Sequence, residues 1–257
     1  MSGMLNRLCA RKGGFFLFPE RLLLRLREAF GQTFFPQRTC VCCGALGVEP
    51  VLCPACQKKM TELAVCSLCA SFTEPGQLFC RFCRAGEKKP FEAAVAAMPY
   101  QGLLRKNIHR FKYGGKAWLR RPFADMVCRK VKLAWPEVKF DLAAAVPVHA
   151  NRLRQRGYDQ AELFGELAAA ELDTPFAPGL LLRVKDTPPS AGYKKAERRI
   201  LMRDAFAPGK GQAAGAKILL LDDIYTTGET AKACSECLLK MGAAQVWVAT
   251  IAATALR

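Results

Sequence analysis

The sequence is poor in acidic residues and in long apolar runs. Its 22 aspartates and glutamates are outnumbered by 39 lysines and arginines, which gives a formal net charge of +17. Such an excess of positive charge implies an anionic partner or substrate, either nucleic acid or a polyphosphate, although a generally basic surface would explain it as well. No apolar run is long enough to span a membrane, so we expect no transmembrane segment.

A secretory leader is also missing from the sequence. The apolar residues 15–18 are too few for the core of a signal peptide, and Pro19, Glu20 and Arg21 follow them at once. A disulfide-rich secreted protein would not confine its cysteine pairs to one segment, as this chain does. We therefore expect a cytoplasmic protein whose thiols are reduced.

The cysteines mark out a segment of their own. Eight of the 13 form four CxxC pairs, with nine residues between the first two pairs and ten between the last two. The pairs are Cys40 with Cys43, Cys53 with Cys56, Cys66 with Cys69, and Cys80 with Cys83. Two CxxC turns supply the four thiolates of a closed, structural zinc site, so the segment predicts two such sites. Sequential and interleaved pairing of the turns both stay open, whereas a redox role lacks its βαβ context.

The most informative stretch lies near the end of the chain, at residues 217–230. Four apolar residues, 218–221, run into Asp222 and Asp223, as a buried parallel strand does at the carboxyl edge of an α/β sheet. A loop of Thr, Thr, Gly and Thr follows, and residues 231–241 then predict a helix that ends at Gly242. No Gly-Lys-Ser/Thr follows the strand, so this is not a Walker A loop.

This loop has the parts of a phosphate site. Backbone N–H groups at a helix N-terminus are unpaired, the helix dipole favours an anion there, and Gly228 lets the backbone approach closely. Asp222 and Asp223 would lie one ribose length away, able to accept hydrogen bonds from two vicinal hydroxyls or to hold a divalent cation. Phosphoribosyl pyrophosphate has all of these groups, and the stretch resembles its signature in type I phosphoribosyltransferases. A capped helix beside two solvated acids is the plain alternative.

Strands and helices alternate from residue 91 onward. Strands are predicted at 92–98, 141–146 and 180–182, and helices at 102–113, 118–131, 160–172 and from about 196. A second edge loop, residues 147–161, carries Arg152, Arg154 and Arg156, whose guanidinium groups suit a pyrophosphate. His149 in this loop is better explained as a loop residue than as a catalytic one. Residues 185–195 predict either a lid over the site or a plain connector.

In their order along the chain, these motifs resemble the ComF family. They are the paired CxxC turns, Phe111-Lys112-Tyr113-Gly114, Val146-Pro147-Val148, Arg156-Gly157-Tyr158-Asp159-Gln160, Glu197-Arg198 and the stretch at 222–228. The resemblance covers about residues 38–255. It implies an α/β fold with a type I phosphoribosyltransferase-like parallel sheet flanked by helices, an N-terminal double zinc ribbon, and a link to DNA uptake in competent bacteria. Ser190, Leu201 and Asp159 depart from the family pattern.

Residues and resemblance together predict the domains and the site. The domains are a helical extension (1–37), the double zinc ribbon (38–88) and the phosphoribosyltransferase-like domain (91–257). The eight CxxC cysteines bind two zinc ions, and Asp222 with Asp223 are the catalytic pair. The predicted contacts of phosphoribosyl pyrophosphate and its Mg²⁺ are Lys112, Val148, His149, Arg152, Arg156, Arg198, Tyr225, Thr226, Thr227, Gly228, Glu229 and Thr230.

Two functions follow from these features. In the first, a phosphoribosyl group passes to an unidentified acceptor, while the acidic pair stabilises positive charge on the ribose ring. In the second, the chain is a non-catalytic accessory protein that binds single-stranded DNA or DNA-uptake proteins during transformation. The candidate DNA contacts are Arg81, Phe82 and Arg84 near the last CxxC turn and the basic helix at 102–113, which offer charge interleaved with aromatic rings.

Overall fold

The computed structural model describes residues 39–46, 52–188 and 195–254. The predicted extension at 1–37 and most of the predicted lid, including Ser190, lie outside the described residues. Residues 38–257 belong to one compact unit. The domain boundary placed between the zinc ribbon and residue 91 therefore stays a prediction. Among the described residues, no helix combines the length and the apolar character needed to cross a bilayer.

The elements alternate along the chain as in an α/β domain. They are α1 (Pro54–Glu62), α2 (Arg81–Arg84), β1 (Ala93–Pro99), α3 (Gly102–Tyr113), a 3₁₀ turn (Ala117–Leu119), α4 (Arg120–Ala134), β2 (Leu142–Ala145), α5 (Ala150–Arg156), α6 (Gln160–Glu171), β3 (Leu181–Arg183), α7 (Lys195–Met202), β4 (Phe206–Pro208), β5 (Lys217–Tyr225), α8 (Glu229–Lys240) and β6 (Gln245–Ala253). The prediction for α3 has the same bounds as the helix. Strands β4 and β6 were not predicted, and the predicted arginine loop is wrong in part, because residues 150–156 form helix α5.

Four strands form one parallel sheet in the order β1-β6-β5-β2. Residues 218–221 of β5 are fully buried between β6 and β2, which explains why this strand is a continuous apolar run rather than an alternating one. Strands β3 and β4 form a separate antiparallel pair. The predicted fold class is thus confirmed, with a parallel sheet flanked by helices and two cysteine clusters that precede the sheet in the sequence.

The sheet opens where β2 ends. Strand β2 pairs with β5 only as far as Ala145 opposite Leu221. Strand β6 continues to pair with β5, with Asp222 opposite Thr250 and the last pair at Tyr225. The acidic pair therefore stays within β5, contrary to the predicted end at residue 221, but it has lost its neighbour on one side. Polar side chains of β5 can therefore reach solvent there, although β5 still pairs with β6.

Helices pack on both faces of the sheet. Helix α4 contacts β1, β6 and α6, while α6 contacts β2 and β5. A Cβ added to Gly165 of α6 would lie 3.4 Å from the Leu221 side chain, so glycine allows α6 to approach β5 closely. Helix α8 contacts β5, β6 and the antiparallel pair, and its Cys234 joins Ile218 and Leu220 in one buried cluster. Side chains of β5 therefore alternate between two helical layers.

The cysteine segment consists of two similar halves. Each half starts with a CxxC turn that an antiparallel bridge encloses, Thr39 with Leu46 in the first and Val65 with Phe72 in the second. Each half then has a short helix that begins directly after its third cysteine, α1 in the first and α2 in the second. The same local design is therefore used twice.

Candidate functional site

A cavity of about 1160 Å³ opens at the carboxyl edge of the sheet. This volume slightly exceeds the usual range for small-molecule sites, roughly 300 to 1,000 Å³. Its wall brings together nine of the predicted site residues, which are Lys112, Val148, Arg152, Arg156, Arg198, Asp222, Asp223, Thr226 and Thr230. They come from α3, α5, α7, β5 and the segments around them, so the fold unites parts of the sequence that lie far apart.

The acidic pair is held by a lysine from α3. The ammonium of Lys112 lies 2.8 Å from a carboxylate oxygen of Asp223, and the Asp223 backbone N–H donates to Asp222 Oδ1 at 2.8 Å. Burial, and then the adjacent charge of Asp223, raise the pKa of Asp222 to about 8. At neutral pH the pair thus carries less than two full negative charges, and a cation that binds it would favour the ionised form.

The phosphate loop, defined here as residues 226–230, has a backbone suited to an anion. Gly228 takes a left-handed conformation with φ of 80° and precedes the first residue of α8, whose first-turn N–H groups have no partner within the helix. The Thr227 hydroxyl is buried and has no hydrogen-bond partner among the described residues. Arg198 donates to the Thr226 hydroxyl. The loop therefore offers donors for a phosphate, including one orphaned hydroxyl.

Five predicted contacts lie outside the cavity wall, namely His149, Tyr225, Thr227, Gly228 and Glu229. The Tyr225 side chain is 4% exposed and packs into the core. Glu229 lines a separate cavity of about 370 Å³ beside α7 and β4. His149 caps α5, since its Nδ1 accepts from the Asn151 N–H at 3.3 Å. This capping contact agrees with the interpretation of His149 as a structural residue.

Helix α5 presents two of its three arginines to the cavity. Arg152 and Arg156 are four residues apart on one face of the helix and line the wall, whereas Arg154 does not. Arg156 donates to the Tyr113 hydroxyl at 2.9 Å and to Gln160 at 2.7 Å. Its guanidinium also lies 4.6 Å from the centre of the Tyr113 ring. The positive wall is therefore ordered by helix geometry rather than by a loop.

Sequence reasoning missed two residues that shape the site. Arg183 of β3 lines the cavity, where burial lowers the pKa of its guanidinium and its Nε has no hydrogen-bond partner among the described residues. Asp159 accepts from the Val148 N–H at 2.8 Å and from the Ala161 N–H at 2.9 Å, so it fixes a wall residue and caps α6. Burial raises the pKa of Asp159 to about 6. In the sequence, only its departure from the family pattern distinguished Asp159 from its neighbours.

The eight CxxC cysteines form two clusters. The first cluster is Cys40, Cys43, Cys53 and Cys56, and the second cluster is Cys66, Cys69, Cys80 and Cys83. Within each cluster the four sulfurs lie within 4.8 Å of one another, which corresponds to the sequential pairing of CxxC turns. Cys42 belongs to neither cluster.

The sulfur geometry suits zinc. The sulfur atoms of Cys43 and Cys53 are 3.6 Å apart, and those of Cys69 and Cys80 are 3.7 Å apart. Four thiolates at about 2.3 Å from a tetrahedral zinc would be about 3.8 Å apart. A hydrogen bond from Cys69 lowers the pKa of Cys66 to about 4, so a thiolate is ready for a metal ion there. Both clusters can therefore hold zinc.

Curated relatives match most of the chain. Competence protein F of Haemophilus influenzae is 30% identical over 221 residues, which cover 84% of this chain and 96% of that protein. Competence protein ComFC of Bacillus subtilis is 27% identical over 200 residues, or 75% and 80% of the two chains. DNA utilization protein YhgH of Escherichia coli K12 is 23% identical over 218 residues, or 77% and 96%. No family model matches the chain.

Solved structures overlap with only part of the chain. A crystal structure of an adenine phosphoribosyltransferase is 19% identical with a TM-score of 0.35, and the match covers 54% of this chain and 73% of that one. The glutamine phosphoribosylpyrophosphate amidotransferase of Bacillus subtilis is 19% identical with a TM-score of 0.36, covering 53% and 26%. Overlaps of this size do not assign a function.

Proposed function

This chain belongs to the ComF family of competence proteins, and from that premise we propose that it binds phosphoribosyl pyrophosphate with Mg²⁺ and transfers the phosphoribosyl group to an acceptor. One observation carries the proposal. The acidic pair, the two end residues of the phosphate loop (Thr226 and Thr230) and a wall of basic side chains meet in one cavity at the sheet edge. Its relatives' names refer to competence and DNA utilization, so we place the reaction in the handling of imported DNA.

Each part of the ligand has a matching part of the wall. The first-turn N–H groups of α8, with the orphaned Thr227 hydroxyl, would hold the 5-phosphate. Asp222 and Asp223 would accept hydrogen bonds from the 2- and 3-hydroxyls, which requires Lys112 to release Asp223. Arginines of the wall, Arg152 and Arg156 among them, would bind the pyrophosphate. The buried, unpartnered Nε of Arg183 is a further donor.

The reaction is a substitution at C1 of the ribose. The bond between C1 and pyrophosphate oxygen breaks, its electron pair leaves with the pyrophosphate, and the acceptor forms the new bond from the opposite face. Positive charge develops on the ring and is stabilised by the carboxylates of Asp222 and Asp223. Carboxylate oxygens fit Mg²⁺, which would neutralise charge on the leaving group. The four-cysteine clusters hold zinc in a structural role.

The second candidate function, binding of single-stranded DNA, is favoured by the rim of the same cavity. The Arg105 guanidinium lies 5.9 Å from the centre of the Tyr100 ring, and the His109 and Tyr113 rings are 4.9 Å apart. These groups alternate charge with stacking surfaces along α3, as in sequence-tolerant binding of single strands. In this function the cavity is a binding groove and the acidic pair has no role.

Pyrophosphate release separates the two functions. Purified protein is incubated with phosphoribosyl pyrophosphate, Mg²⁺ and a panel of nucleobases, nucleosides and short single strands. The proposal expects acceptor-dependent release that Asp222→Asn abolishes, with Asp125→Asn as the control because Asp125 pairs with Arg129 elsewhere on α4. If no acceptor causes release while Asp222→Asn still binds DNA in a salt-dependent manner, the binding function is the correct one.

A further inference from the structure

Tyr225 occupies an unusual position between the cavity and the cysteine segment. It is the last residue of β5 and directly precedes the phosphate loop. Its backbone is fixed by the sheet, since it pairs with Ala253 and its carbonyl accepts from the Thr254 N–H at 2.9 Å. Its side chain, however, is absent from the cavity wall and is 4% exposed. A residue of the binding signature thus directs its ring away from the ligand cavity.

The Tyr225 ring lies directly behind the turn of the phosphate loop. A Cβ placed on Gly228 would come within 2.3 Å of the Tyr225 phenol oxygen and 2.7 Å of its Cζ. Real Cβ atoms do not approach other atoms so closely, so the phenol fills the space behind Gly228. Glycine is required at this position for that reason as well as for its positive φ of 80°. The ring therefore limits where the loop can move.

The Tyr225 side chain also belongs to the buried core that contains the second cluster. Tyr225 belongs to the same buried cluster of side chains as Cys66, Cys69, Cys80 and Cys83, and the cysteines of the first cluster are not members of it. The second cluster and the Tyr225 ring thus lie in one packed core, and the ring in turn lies against Gly228.

We propose that Tyr225 is a positioning residue that couples the metal-bound second cluster to the phosphate loop. The four cysteines, held in place by a bound metal ion, would fix the core around the ring, and the ring would hold the turn at Gly228 in its anion-binding form. Among the described residues, the cysteines of the first cluster are not part of this core. The importance of the coupling for ligand binding rests on the proposed function, whereas the coupling itself does not require a ligand.

Amide hydrogen exchange of the full, zinc-loaded chain without ligand tests the coupling. Cys80→Ser removes the third ligand of the second cluster, and Cys53→Ser removes the equivalent ligand of the first as a matched control. Amides of residues 226–232 should exchange about tenfold faster in Cys80→Ser, equal to about 1.4 kcal/mol of opening free energy. They should be unchanged in Cys53→Ser. Equal acceleration in both variants, or none in Cys80→Ser, would overturn the proposal.

Variants of Tyr225 test the same path with both zinc sites intact, which covers the case in which Cys80→Ser fails to fold. Tyr225→Leu should accelerate exchange of the same amides while the zinc content stays that of the wild type. Tyr225→Phe, which keeps the ring, should give a smaller change in the same direction. Unchanged loop exchange in Tyr225→Leu would show that the ring does not transmit the coupling. Because no ligand is present, a failure to bind phosphoribosyl pyrophosphate would count against the proposed function alone.

Discussion

The two cysteine clusters have the same ligand set and nearly the same spacing, yet they support different parts of the molecule. The first cluster contacts helices, since Asn107 of α3 donates to the Val41 carbonyl at 2.9 Å and Lys130 of α4 donates to the Met60 carbonyl at 3.3 Å. The second cluster packs into the core of the sheet beside Tyr225. One motif, used twice, thus packs against two different parts of the fold.

The two clusters also differ in how deeply their cysteines are buried. All four cysteines of the second cluster are buried, whereas Cys43 of the first is exposed. A buried cluster shares side-chain contacts with its surroundings, so its loss also disturbs the packing of neighbouring residues. We infer that the role of a zinc ribbon is decided by what it packs against and not by its ligands.

The largest expected effect is on global stability. Cys80→Ser should lower the free energy of unfolding by about 4 kcal/mol, because a metal site within the core is lost, and the melting temperature by roughly 10 °C. Cys53→Ser should unfold its own half of the ribbon and leave the main transition almost unchanged. Differential scanning calorimetry with elemental analysis checks both variants, and each should retain about one zinc of two. Equal melting temperatures for the two variants would contradict the claim that the clusters differ in their contribution to global stability.

The next effect is the pH dependence of stability that Asp222 of β5 causes. Because the pKa of Asp222 is about 8 in the folded chain, above the ordinary value of 3.8, its contribution to stability is present at low pH and is lost as pH rises towards 8. Asp222→Asn should remove a slope of about 1 kcal/mol per pH unit between pH 5 and 7. Urea unfolding of both proteins, without divalent cations, measures it. Parallel profiles would show that Asp222 is ionised throughout this range.

A smaller effect is expected at the first cluster. Asn107→Ala should lower the free energy of unfolding of the first half of the cysteine segment by about 1 to 2 kcal/mol, because the Val41 carbonyl loses its donor. A chelator should then remove zinc faster from the first cluster only, which competition with a colorimetric chelator measures. Asn151→Ala, at the start of α5, is the control. Faster release of both zinc ions would show that the clusters are not independent.

The sequence predicted best where local signals and packing agree. The α3 bounds follow from an apolar face that ends at Gly114, and the apolar run of β5 predicted a buried parallel strand. Helix α5 was missed because it is short and has no buried residue to create a periodic pattern. Its start and end depend on His149 as cap and on Gly157 with a φ of 78°.

The parts that sequence could not predict depend on distant contacts. Tyr225 stands within a phosphate-binding signature, and its ring is directed away from the cavity by packing in a core that is built from segments far apart in the sequence. Arg183 lies in a three-residue strand without a motif, and the pairing of that strand with β4 and its contact with α8 place Arg183 at the cavity. Strand register and packing between remote segments depend on the whole fold, so a local sequence pattern does not predict them.

Calorimetric titration of the wild-type chain with phosphoribosyl pyrophosphate and Mg²⁺ tests the central claim most directly. We expect one ligand per chain, and binding should weaken about ten- to a hundredfold in Asp222→Asn and in Asp223→Asn, because each removes a charge-assisted acceptor for a ribose hydroxyl. Asp125→Asn, outside the cavity, should bind as the wild type does. An absence of binding heat at millimolar ligand, or equal affinity in all four proteins, would contradict the assignment of this cavity.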